Sequence, residues 1–434
     1  MKQSHVLKKQ YYKNLAYFIL VFILGAFFVQ ASFAQTVSEI KDKINQKSEE
    51  IAKLEKEIKA YQSQLNSIAL EKDSLKGAIA ELDITRKKLN ADISITQKKI
   101  DQTNYKIQVL SNDIGNKEDS ISNSLDAIAI DIRRINELEI ANIAETILSK
   151  DNFTTIWNDI DSMLVVREEI RERIGELRLV KGELEDTRDV TIEAKNELTR
   201  LKSQLDDQKK IVDQNTKAKK TLLAQTQNSE ANYQKLLADQ VAKKAAFEKE
   251  MRDYESQLQF ILDPSKLPSG GVLGWPLDNV YVTQFFGKTV AAKRLYASGS
   301  HSGVDFRAAV GTPVKSMANG VVKGVGDTDT TCVGASFGKW IFIEYENGLS
   351  STYGHLSLAK VKSGQKVKRG EVVGYSGSTG RVTGPHLHVT VYAASAAKVQ
   401  TLPSKSCPGK TLTQPIAAIN AYLDPMFYLP PYSQ

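Results

Sequence analysis

The sequence predicts an α+β multidomain protein, a long α-helical coiled-coil hairpin followed by an all-β domain of antiparallel sheet. Three observations predict it. All eleven prolines of the 434-residue chain fall between Pro264 and Pro431, and 21 of its 26 glycines lie beyond residue 263. An apolar seam that alternates by three and four residues runs through the first half. Short β-branched runs separated by glycine turns fill the second. Proline costs about 3 kcal/mol in a helix interior and glycine about 1, so residues 35–263, with no proline and four glycines, are written for helix.

Composition narrows the function classes. With 25% charged and 41% apolar residues, the chain is globular or coiled-coil rather than disordered. The formal charge of +7 shrinks on inspection. Setting aside the four lysines of residues 1–34, 54 basic against 51 acidic side chains leave +3 on the other 400 residues. A balance so close to neutral gives nucleic-acid binding no support. Two cysteines exclude a disulfide-dense scaffold and a Cys-rich zinc finger.

Residues 1–34 read as a signal peptide. Lys2, Lys8, Lys9 and Lys13 precede fifteen uncharged residues, 15–29, and Ala31-Ser32-Phe33-Ala34 follows. Small Ser32 and Ala34 suit the −3 and −1 positions of a signal-peptidase site, with cleavage before Gln35. Fifteen helical residues cover about 22 Å, short of the roughly 30 Å hydrocarbon core. The alternative is an uncleaved anchor. Either way the rest of the chain is expected outside the cytoplasm, in the periplasm or cell envelope.

Residues 35–262 form the predicted coiled coil. Ile51, Leu54, Ile58, Tyr61, Leu65, Ile68, Lys72, Leu75, Ile79, Leu82, Arg86, Leu89, Ile93, Thr96 and Ile100 keep strict 3-4 spacing. Such spacing averages 3.5 residues and drives a left-handed supercoil. A second seam runs through Ile170, Ile174, Leu177, Leu184, Leu198, Leu201, Leu205 and Val212, closing with Phe247, Met251, Tyr254, Leu258 and Ile261. Between them, about 141–163, the register breaks. Nearly equal arms around a break predict a hairpin, with a parallel homodimer as the rival. Phe153, Ile156, Trp157, Ile160, Met163 and Leu164 at the tip are either a docking site or a loop packed on itself. Residues 263–274, with Pro264, Pro268, Gly270 and Gly271, form the linker.

Beyond the linker, strands are predicted near Val280–Phe286, Gly303–Phe306, Pro313–Met317, Val321–Val325, Trp340–Tyr345, Ser350–Tyr353, Val372–Tyr375 and His386–Tyr392. Four of the five histidines lie at strand edges here: His301, His355, His386 and His388. Gly384-Pro385-His386-Leu387-His388-Val389-Thr390-Val391-Tyr392 alternates with period two. His386, His388, Thr390 and Tyr392 thus share one face, with the two imidazoles' Cα atoms about 6.6 Å apart. In His301-Ser302-Gly303-Val304-Asp305 an extended chain places His301 and Asp305 on one face. Two imidazoles and one carboxylate make a three-ligand zinc site with an open position, the composition of a catalytic centre. Two spare histidines then serve proton transfer and oxyanion stabilisation. A structural zinc is the other reading, and spacing does not say which histidines bind.

His301-x-x-x-Asp305, His355-Leu356-Ser357, Gly377-Ser378-Thr379-Gly380, Gly384-Pro385-His386-Leu387-His388 and the closing Leu423-Asp424-Pro425 together resemble the lysostaphin-type (LytM-domain) zinc metallopeptidases. The resemblance covers about 275–430. It implies one Zn2+ per catalytic domain, held by His301, Asp305 and His388. It also implies His355 and His386 as catalytic histidines, and cleavage of peptide cross-links in peptidoglycan. The layout of export signal, coiled coil and LytM domain is similar to that of EnvC-type murein hydrolase activators. Those typically lack the zinc ligands and act by switching on amidases. Here every signature position is filled, which favours an enzyme. The likeness also implies a coil used for recruitment by a membrane division complex, docking near Phe153 and Trp157, or for autoinhibition.

Cys332 and Cys407, both in the β-domain of an exported chain, are expected to form a disulfide between two insertions, with two free thiols as the alternative. The segment Gly287–Ser300, with Lys288, Lys293, Arg294 and Tyr296, is a loop over the groove or an ordinary surface insertion.

Overall fold

The computed structural model describes residues 37–68, 74–140 and 153–432, apart from positions 259, 261, 264, 266, 296–298, 381, 383 and 405–406. The export signal, seam residue Lys72, residues 141–152 of the break, and linker residues Pro264 and Lys266 lie outside the described residues. Among the described residues no helix is long and apolar enough to cross a membrane.

Four long helices come first: α1 (Val37–Ile68), α2 (Leu75–Ile140), α3 (Phe153–Thr226) and α4 (Glu230–Gln257). On α1 the seam residues Ile51, Leu54, Ile58, Tyr61 and Leu65 are withdrawn from solvent, while Lys53, Glu57 and Gln62 between them are exposed. The heptad pattern therefore places the apolar stripe as expected.

The chain divides into two compact units, Met1–Gln46 with Asn104–Ile192, and Lys47–Thr103 with Glu193–Gln434. In the first, Arg188 reaches Glu118 at 2.7 Å and Arg173 reaches Asp131 at 3.3 Å. In the second, Lys219 reaches Asp83 at 2.6 Å, and Ile100 packs with Leu201 and Leu205. Within each unit the partner number falls as the other rises, so α2 and α3 run antiparallel.

The far end of the predicted second seam behaves differently. Gln227 and Asn228 take left-handed backbone, with φ of 51° and 57°, and end α3. A heptad count carried across such a break loses its phase. Phe247 and Met251 accordingly meet Cys332, Ala335 and Leu412 of the β-domain rather than a partner helix. The Tyr254 hydroxyl donates to the Pro403 carbonyl at 2.7 Å. Leu258 joins Trp340 and Phe342, and Ile261 lies outside the described residues.

The β-domain contains β1 (Val282–Gln284), α5 (Val290–Leu295), β2 (Val304–Arg307), β3 (Pro313–Lys315), β4 (Gly320–Asp327), β5 (Lys339–Tyr345), β6 (Leu349–Gly354) and β7 (Leu356–Ala359). It continues with β8 (Lys366–Val367), β9 (Val372–Ser376), β10 (His386–Ala393), β11 (Ala397–Ser404), β12 (Lys410–Ala417), β13 (Tyr422–Leu423) and α6 (Pro425–Tyr428). The main sheet has the order β1-β2-β10-β6-β5-β4-β8, with β13 also on β10. A second sheet is β3-β9-β7, and β11-β12 is a separate hairpin. All of these pairings are antiparallel.

Each predicted strand is present, displaced by two residues or fewer at its ends. The sequence did not indicate β7, β8, β13 or the β11–β12 hairpin. That hairpin carries Pro403 and Pro415, and proline inside a run argues against strand except at edges.

Period-two alternation sorts the main sheet into two faces. Val304, Phe306, Leu387, Val389, Val391, Ile341, Ile343 and Tyr353 fill the core. Burying each large apolar side chain stabilises the fold by about 1.5–3 kcal/mol. On the opposite face Trp340, Phe342 and Tyr392 are covered by Ala397, Ala417 and Leu258. The hairpin and the end of α4 thus roof much of that face; His301, His355 and His388 lie buried beside them, and the end carrying Tyr281 and Arg307 is left uncovered.

Candidate metal centre

The centre is assembled by strand register. In the β2–β10 pair, Asp305 lies opposite His388 and Arg307 opposite His386. His301 is fixed just ahead of β2, where its N–H and C=O exchange 2.9 Å hydrogen bonds with Gly287. Between them Gly303 passes so close to β10 that an added Cβ would stand 2.3 Å from the Val389 oxygen and 2.9 Å from the His388 ring. Glycine is therefore required at this position.

Three ligand atoms converge. His301 Nε2 is 3.1 Å from His388 Nδ1, His388 Nδ1 is 2.8 Å from Asp305 Oδ1, and His301 Nε2 is 3.3 Å from Asp305 Oδ1. Among the described residues this is the one group of histidine, cysteine and acidic side chains arranged to hold a metal ion. Ligand atoms bound tetrahedrally at 2.0–2.1 Å stand about 3.3 Å apart, so the triangle fits one zinc-sized ion. The outer partners fit as well. His301 Nδ1 lies 3.1 Å from the Phe285 carbonyl and His388 Nε2 lies 2.8 Å from Thr390 Oγ1. Donation of the second ring nitrogen to an oxygen fixes the tautomer and turns the ligating lone pair inward.

The two remaining histidines are held the same way. His355 Nδ1 is 2.9 Å from the Thr379 carbonyl, and His386 Nδ1 is 2.8 Å from the Gly384 carbonyl. Each Nδ1–H donates, which turns each Nε2 toward the centre. His386 Nε2 faces Asp305 Oδ1 at 3.6 Å, and the His355 and His386 rings are 4.7 Å apart. Burial, helped by the nearby His386 and His388, holds His355 well below the usual imidazole range, so it is neutral. Burial also pushes His388 down, against the pull of Asp305. At Asp305 burial opposes ionisation. Hydrogen bonds from His301 and His388 outweigh it and keep the carboxyl well below its ordinary value.

All five residues singled out by sequence come together here. The sequence did not point to Phe337, whose carbonyl accepts the His355 N–H at 2.7 Å and whose ring lies 5.8 Å from that of His388. Nor did it point to the other wall of the cavity. Phe247, Met251, Arg252 and Glu255 of α4, with Gln414 and Tyr422, line a space of about 160 Å³ shared with His301, His355 and His388. The heptad seam marks Phe247 and Met251 only as coil, and no local pattern marks the others, because all of them reach the site by folding back across it.

Cys332 and Cys407 form a disulfide with Cα atoms 6.2 Å apart. It ties the loop after β4 to the β11–β12 hairpin and makes the seat on which Phe247 rests. In the segment Gly287–Ser300, α5 carries Lys293 and Arg294, and Tyr296 lies outside the described residues.

Part of the chain matches a known family in sequence. Residues 299–400 match Peptidase family M23, so the chain carries an M23 (LytM/lysostaphin-type) domain. The chain is similar to the peptidoglycan DD-endopeptidase ShyA of Vibrio cholerae, 40% identical over 121 residues, 27% of either protein. It is also similar to the cell division protein DipM of Caulobacter vibrioides, 32% identical over 133 residues, 31% of this chain and 20% of that one. Among solved structures it resembles the catalytic domain of lysostaphin from Staphylococcus simulans, with 28% identity, TM-score 0.25, and coverage of 34% of this chain and 91% of that one. The matched segment spans about a quarter of ShyA and a fifth of DipM.

Proposed function

We propose that this chain is an exported zinc metalloendopeptidase that cleaves peptide cross-links of peptidoglycan during cell-wall remodelling or daughter-cell separation. The observation that carries the reading is the triangle of His301 Nε2, Asp305 Oδ1 and His388 Nδ1, with edges of 2.8–3.3 Å, flanked by His355 and His386, each held through Nδ1. The names of ShyA and DipM support the substrate and the setting.

His301, Asp305 and His388 would hold one Zn2+, which when bound acts as a Lewis acid and lowers the pKa of water toward about 7. His355, neutral and tethered through Nδ1, takes the proton of the attacking water on Nε2. The same nitrogen returns it to the leaving amine as the C–N bond breaks. His386, with Nε2 turned to Asp305, orients the attacking water.

The coil restrains this site in the resting chain. Helix α4 places Phe247, Met251, Arg252 and Glu255 in the wall of the cavity that holds His301, His355 and His388, where a substrate peptide would have to enter. Recruitment belongs to the first unit, where Trp157 is 62% and Leu164 56% exposed near the predicted tip, a surface for a membrane division complex. The signal read at residues 1–34 supports export, and the disulfide suits an oxidising compartment.

The test is release of new amino groups from cross-linked peptidoglycan by the metal-loaded chain carrying Phe247→Ala and Met251→Ala, which unseat α4. Activity should exceed that of the unsubstituted chain by tenfold or more, on the order of 1.4 kcal/mol, and vanish with a chelator. A folded, metal-bound variant that releases nothing would overturn the peptidase reading in favour of a non-catalytic activator of cell-wall amidases or a structural scaffold.

A further inference from the structure

The uncovered end of the sheet carries a feature that the mechanism leaves unused. Val282, Val304 and Phe306 point into the core, so Tyr281, Asp305 and Arg307 point to the catalytic face. The Arg307 N–H bonds the Tyr281 carbonyl at 2.9 Å, and the Arg307 guanidinium carbon lies over the Tyr281 ring, 4.1 Å from its centroid. Both side chains are exposed. Arg307 stands directly opposite His386 on β10, one pleat repeat beyond the Asp305–His388 pair. No carboxylate among the described residues forms an ion pair with Arg307. A ring beneath a guanidinium fixes its plane and leaves its hydrogen-bonding edge free.

We infer that Tyr281 and Arg307 form a subsite for a free carboxylate on the peptide substrate, beside His386. Two residues of strand advance about 6.6 Å. A chain whose scissile carbonyl sits at the ligand row therefore offers this carboxylate within about two residues of the bond to be cut. The planar fork of arginine matches a carboxylate with two parallel hydrogen bonds, which a primary amide cannot accept in the same way. The subsite selects anionic cross-links over amidated ones and acts on substrate binding rather than on the chemical step. It rests on the endopeptidase reading for its substrate.

The experiment uses a pair of cross-linked peptides that differ only in a free carboxylate or a carboxamide next to the scissile residue. They are presented to the metal-loaded full chain with α4 unseated as above. Binding is measured in the His355→Ala background and turnover in its absence. The carboxylate peptide should bind about tenfold more tightly or better. Arg307→Gln should abolish that preference through KM with kcat within about twofold, Arg307→Lys should keep part of it, and Tyr281→Leu should weaken it. Metal content of each variant shows that the ligand triangle is intact. A preference that survives Arg307→Gln, or an equal loss for both peptides, overturns the proposal. Preferential binding without turnover of either peptide would leave the subsite standing and sink the endopeptidase reading instead.

Discussion

His355 has a backbone φ of 61°, a region that non-glycine residues seldom enter. Its N–H on Phe337 and its ring on Thr379 hold it there, so the strain is sustained by the loops around the site. Since the side chain is not a member of the ligand triangle, His355→Ala should lower turnover at least about a hundredfold while zinc stays bound at one equivalent. An unchanged rate would remove this residue from the mechanism. Gly303 makes the opposite prediction. A methyl group there collides with the Val389 oxygen and the His388 ring, so Gly303→Ala should cost metal affinity before it costs activity at saturating metal. Equilibrium dialysis against a zinc chelator measures that difference.

At the scale of elements, α4 is the part that decides access. Its Glu255 is hydrogen-bonded to the Tyr422 hydroxyl, and burial of the carboxyl raises its pKa to about 7. A carboxyl raised in the docked state binds its proton more tightly there than in solution. Docking is therefore firmest below the ordinary value of 4.5 and weakens as the pH climbs from there through about 7. The full span amounts to an upper limit on the order of 3 kcal/mol. Amide hydrogen exchange along Glu230–Gln257 should accelerate between pH 5 and 8, and Glu255→Gln should flatten that dependence. Exchange that is equally pH-dependent in the variant, after correction for the intrinsic rate, would assign the effect to another group. The disulfide seat beneath Phe247 belongs to the same device, because it fixes the hairpin and the loop that α4 presses upon.

For the whole molecule, the second unit joins part of the coil and the β-domain into one compact body. Leu89 and Ile211, from α2 and α3, pack on Tyr375 of β9. The Tyr375 hydroxyl donates to Asp207 at 3.3 Å, and Lys360 approaches the same carboxylate at 3.4 Å. Asp207 is buried and also pairs with Lys210 at 3.5 Å, so removing it takes a partner from a phenol and two ammoniums. Asp207→Ala should lower the stability of this unit by about 1–3 kcal/mol without changing metal content. Chemical denaturation followed by helical and by tryptophan signals should report it in both at once. Separate transitions for the two signals would show that helices and sheet do not unfold together.

Much of this was legible along the chain because it depends on neighbours in sequence. The 3-4 seam, the absence of proline before residue 264 and the alternation through His386–Tyr392 are local rules. They determined which segments became helix and which face of β10 carried the histidines. The motif spacings singled out His301, Asp305, His355, His386 and His388 as candidates, while the division into ligands and catalytic histidines came from the family resemblance. What only the tertiary structure decided were the relations that strand pairing and helix docking create. These include which nitrogen of each imidazole faces inward, the left-handed break at Gln227–Asn228 that sends α4 across the cavity, and the stack of Arg307 on Tyr281 beside His386. The physical reason is that periodicity reports how a segment divides apolar from polar faces. It carries no information about which distant surface will cover the apolar one.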